Sequence, residues 1–93
     1  MRTAPTIHLN GSGGKSLYED YANAAGKIRE AIESMPVPNA RDYYVNPNPS
    51  AFAMAQAEHS ARVAALVGIR DELYEILESI SDQRYARENH GSR

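Results

Sequence analysis

Residues 66–80 read Leu66-Val67-Gly68-Ile69-Arg70-Asp71-Glu72-Leu73-Tyr74-Glu75-Ile76-Leu77-Glu78-Ser79-Ile80. Wound at about 100° per residue, Leu66, Ile69, Leu73, Ile76, Leu77 and Ile80 fall on one side. Val63, Val67 and Tyr74 widen that stripe to roughly half the circumference. No proline follows Pro49, and Gly68 is the one glycine between there and Gly91. The spacing therefore predicts a long helix over residues 50–85, opened by Asn48 with Pro49 at the first position or by Ser50, and a frayed tail over 86–93.

Toward the N-terminus, Ser16-Leu17-Tyr18-Glu19 has the form of a capping box. Leu17, Tyr21, Ala24, Ala25, Ile28, Ala31, Ile32 and Met35 then recur at helical spacing until Pro36 and Pro38 stop them, predicting a first helix over 16–35. Residues 36–49 read as a loop held by prolines, with Asn39, Asn46 and Asn48 among them. Residues 1–15 read as an extended arm and a Gly-rich loop. Within the arm the alternation Thr6-Ile7-His8-Leu9-Asn10 predicts a short strand, for which Asp42-Tyr43-Tyr44-Val45 is the other β-like segment.

The two helices differ in length, roughly 28 Å against roughly 50 Å at the usual rise per residue. A short helix cannot cover so wide a stripe, and two helices bury too little apolar surface to offset the chain entropy of a small domain. The fold expected is all-α: an antiparallel helical hairpin with a short extended N-terminal arm, assembling as a homo-oligomer, a dimer or larger, into a helix bundle.

Composition narrows the functions. The chain has 93 residues, 10 Lys and Arg against 12 Asp and Glu, and no Cys. That length fits one domain, 1–93, and argues against a multidomain enzyme, while the missing cysteines exclude a disulfide scaffold and thiol chemistry. A net charge of −2 argues against wrapping nucleic acid. No apolar run approaches the roughly 18 residues of a membrane span, and the stretch Met1 to Leu9 has no apolar h-region, so a soluble, cytoplasmic protein without membrane contact is expected.

Few residues offer chemistry. His8, His59 and His90 lack metal-ligand spacing, no nucleophile set is recognisable, and Gly11 to Ser16 fails the Walker pattern because Leu9 stands where its first glycine belongs. Neither an enzyme nor a metal or cofactor is expected. The glycine loop with Lys15 could still hold a phosphate at the helix start, or be a flexible loop. Arg70 lies within the apolar stripe, so it either pairs with a carboxylate such as Asp20 or Asp71 of a neighbouring chain or binds an anion. His59 and Arg62 read as an amphipathic flank. Arg41-Asp42-Tyr43-Tyr44 is the most pointed feature. Its tyrosines either offer flat surfaces for a base, with Arg41 on phosphate, or one of them plugs the hairpin end while Arg41 pairs with Asp42.

The segments Thr6-Ile7-His8-Leu9-Asn10-Gly11 and Arg41-Asp42-Tyr43-Tyr44, together with Glu58-His59 and Leu73-Tyr74 in the long helix, make the chain resemble a group of small uncharacterised accessory proteins of tailed phages and prophages. The resemblance implies a viral protein in the host cytoplasm and carries no activity. In size and helical layout the chain is also similar to the small phage oligomers that sequester the nucleotide signals of host defence. Two binding functions follow as expectations. One is sequestration of a nucleotide-like anion by Arg41, Tyr43, Tyr44, His8, Asn10 and Arg70. The other is a protein–protein interaction module, an inhibitor of a host enzyme or a small structural or assembly component.

Overall fold

The computed structural model describes residues 3–7 and 13–91, with side chains described as far as residue 86. Two helices dominate: α1, Gly14–Ser34, and α2, Ala51–Gly91, packed as an antiparallel hairpin. At about 1.5 Å per residue their 21 and 41 residues span about 32 Å and 62 Å. The disparity expected from sequence is present and larger, because α2 continues past 85 through much of the segment expected to fray. Ala86, Arg87 and Glu88 are all good helix formers, and Gly91 is the first residue after Gly68 to oppose helix.

The start of α1 corrects the expected capping box. Gly13, extended at φ −65° and ψ 152°, precedes the helix, and no side chain caps it. Its carbonyl accepts from the Leu17 N–H at 3.0 Å, which places Ser16 inside the first turn rather than at the cap. Glycine at position 14 has a packing reason. A Cβ there would lie 2.8 Å from Arg84 Cγ and 2.9 Å from Ile7 Cδ1, so its absence lets α2 and the returning arm close on the helix start. At the other end Pro36 forces Met35 out of helical conformation, to φ −63° and ψ 125°.

No strand is present among the described residues, which corrects the expected pairing of the arm with 42–45. The arm has a different partner. The Gln83 amide donates from Nε2 to the Pro5 carbonyl at 2.9 Å, and its Oε1 accepts from the Ile7 N–H, also at 2.9 Å. One side-chain amide thus satisfies the two backbone groups that a neighbouring strand would have taken. His8, Leu9 and Asn10, and Gly11 and Ser12 of the glycine loop, lie outside the described residues.

The core is thin. Among the described residues Ala25, Leu77 and Ile80 are the buried apolar ones, and Ile80 is fully enclosed. Small Ala25 lets the two helix backbones approach, while Leu73, Ile76, Leu66, Leu17 and Ile28 are half-buried along the seam. The result is a rod of 71 × 22 × 20 Å with a radius of gyration of 20.2 Å, against about 12 Å for a compact chain of this length. Its accessible surface of 7048 Å² exceeds by about 30% the area that size scaling gives a compact monomer of this mass.

Candidate functional site

The loop between the helices is built by three asparagines, each bonding the backbone two residues on. Asn39 Oδ1 accepts from the Arg41 N–H at 3.0 Å, Asn46 Oδ1 from Asn48 at 2.9 Å, and Asn48 Oδ1 from Ser50 at 2.9 Å. Such Asx turns hold the chain in tight bends without a ladder, and the prolines beside them remove competing conformations. Asn39 opens a 3-10 turn, Ala40–Asp42, closed by Tyr43 N–H to the Ala40 carbonyl. Segment 42–45 therefore curls rather than extends. Ser50 directly precedes α2, its carbonyl accepting from Met54, and Asn48 and Pro49 stand outside the helix.

The turn sends its two tyrosines in different directions. Tyr43 is half-buried with its ring centroid 6.0 Å from that of Phe52 in the first turn of α2, a tilted aromatic pair that closes the hairpin end. Tyr44 is 81% exposed, and Arg41 is exposed beside it. No ion pair joins Arg41 to Asp42. Of the residues expected to stack and clamp a base, the fold keeps Tyr44 and Arg41 on the surface and commits Tyr43 to packing.

Between this turn and α2 lies a cleft of about 300 Å³. Its apolar lining comes from Met35, Pro36, Val37 and Pro38, with Tyr43 of the turn and Ala55 of α2. Asp42, Glu58 and Arg62 stand at its rim, and none of their charged groups makes a hydrogen bond or an ion pair among the described residues. Glu58 and Arg62, four residues apart on α2, would read as a routine surface pair in sequence; the loop folding over them turns them into a rim. His59, one residue on, has its Nδ1 buried without a hydrogen-bond partner among the described residues.

Arg70 does not join this site. Its guanidinium lies 3.2 Å from Asp71 of its own chain, with 29% of the side chain exposed, and 5.6 Å from the centre of the Tyr74 ring. Within the chain the guanidinium thus lies over Tyr74, a member of the same stripe, and beside Asp71, one of the two carboxylates expected for it on a neighbouring chain. A half-exposed pair of this kind contributes about 1 kcal/mol or less. His8 and Asn10, the remaining expected ligand residues, lie outside the described residues.

Among the described residues no group of three His, Cys, Asp or Glu is placed to hold a metal ion, and no helix is long and apolar enough to cross a membrane. No family model, curated protein or solved structure matches the chain.

Proposed function

We propose that the protein is a helical-hairpin interaction module that associates with its own copies and acts through protein contacts rather than by catalysis, in keeping with an accessory role. The observation that carries this reading is the exposure of large apolar side chains along a rod in which three apolar residues are buried among those described. Ile69 and Tyr74 are each 45% exposed on opposite flanks of the α1 seam, with Met54 at 50% and Tyr85 at 67% toward the two ends of α2. Surface of this kind, on a chain with an area excess, is what a neighbouring helix pair covers in a bundle.

Sequestration of a nucleotide-like anion has less support, since Tyr43 packs on Phe52 and two carboxylates face the cleft beside it. The test is a pair of charges placed on the exposed flanks, Ile69→Asp with Tyr74→Asp. Light scattering coupled to size exclusion should then report loss of the oligomer with helical circular dichroism retained. An unchanged mass would count against these flanks as the contact. A nucleotide-dependent rise in melting temperature, scaling with ligand concentration, would move the reading to sequestration.

A further inference from the structure

We propose that the cleft between the 36–43 turn and α2 receives a basic side chain, lysine or arginine, from a partner polypeptide. The proposal rests on the reading of the protein as an interaction module and assigns it a second surface, apart from the α2 flanks. Three features of the cleft select this occupant.

The first is charge. Asp42 and Glu58 face the opening against the single guanidinium of Arg62, so the lining is acidic on balance. None of the three makes a hydrogen bond or an ion pair among the described residues, so an incoming cation displaces no partner there. The second is shape. The apolar walls from Pro36, Pro38 and the Tyr43 ring suit the aliphatic stem of a long basic residue, whose head would then reach the carboxylates at the rim. A cavity of about 300 Å³ accommodates such a side chain, and it lies at the small end of ligand pockets, which begin at about 300 Å³. The third feature separates a polypeptide from a free small cation. Tyr44 and Val45, which do not line the cleft, are 81% and 76% exposed. These belong to the same loop, and a lone amine would leave them uncovered, whereas residues flanking a basic side chain would pack on them. The walls are also fixed in advance, by the Asn39 turn and by Tyr43 on Phe52, which lowers the ordering cost of binding.

The probe is the capped peptide acetyl-Leu-Arg-Leu-amide, titrated into the full chain and followed by amide chemical shifts. Shifts should appear at Val37, Asp42, Tyr43 and Glu58. Replacing the arginine by neutral citrulline should weaken binding about tenfold, as should offering butylguanidinium alone. Asp42→Asn and Glu58→Gln, both at exposed positions, should each weaken the peptide about three-fold, and Arg62→Gln should tighten it about two-fold. Equal binding of the citrulline peptide, or tighter binding of an acetyl-Leu-Glu-Leu-amide control, would overturn the assignment of a cation. Equal binding of butylguanidinium would overturn the polypeptide. Sedimentation of the same samples keeps the two proposals apart: an oligomer that ignores the arginine peptide defeats the cleft proposal alone.

Discussion

Gln83 holds together the parts of this chain that are most distant in sequence. Its amide meets Pro5 and Ile7 across separations of 78 and 76 residues, and its Nε2 also lies 3.4 Å from Ser79 Oγ one helical turn away. No pattern in the sequence marks it, because a glutamine on a polar flank of α2 looks like any solvated residue; only the arm's return makes it a clamp. Ile7, read in sequence as part of a short strand, instead sets its Cδ1 against the start of α1. Gln83→Ala should release the arm and cost about 1–2 kcal/mol through two lost, partly buried hydrogen bonds. Gln83→Glu should cost at least as much, because its carboxylate keeps the acceptor for Ile7 but sets a charged oxygen against the Pro5 carbonyl. Hydrogen exchange at the Ile7 amide, alongside thermal melts, checks both variants; slow exchange in Gln83→Ala would show that something else holds the arm.

At the scale of elements, the helices were legible and the loop was not. Helical spacing from Leu17 to Met35 and from Val63 to Ile80 placed both helices, and Pro36 placed the end of the first, because each is a local effect of side-chain period or backbone restriction. The α1 start was misplaced, since the Ser16-to-Glu19 motif competes with a glycine that packing requires two residues earlier. The loop depended on which of several turn formers would dominate. Asn39 curls the Arg41–Tyr44 segment, and that curl separates two adjacent tyrosines that composition treats alike. Their substitution should separate them too. Tyr43→Ala, losing its packing on Phe52, should lower stability by about 1–2 kcal/mol, whereas Tyr44→Ala should stay within about 0.5 kcal/mol. Chemical denaturation read by circular dichroism measures both, and equal losses would contradict the placement of Tyr43 as the plug.

For the whole molecule the deciding fact is how little the hairpin buries. Among the described residues Ile80, Leu77 and Ala25 alone are enclosed along a rod 71 Å long. Folding a chain of this size needs most of its apolar surface removed from water to offset conformational entropy. A second copy laid along α2 would supply that burial, and the stripe running from Val63 to Ile80, wider than α1 covers, is the sequence feature that pointed to it. The extent of the proposed assembly was not legible, because the width of a stripe points to a neighbour and not to how many. Sedimentation equilibrium of the unmodified protein at micromolar concentration tests this most directly. The account predicts a mass at least twice the 10.3 kDa of the chain, with a melting temperature that rises with protein concentration. A helical species at the mass of one chain, unfolding cooperatively at a temperature independent of concentration, would contradict it.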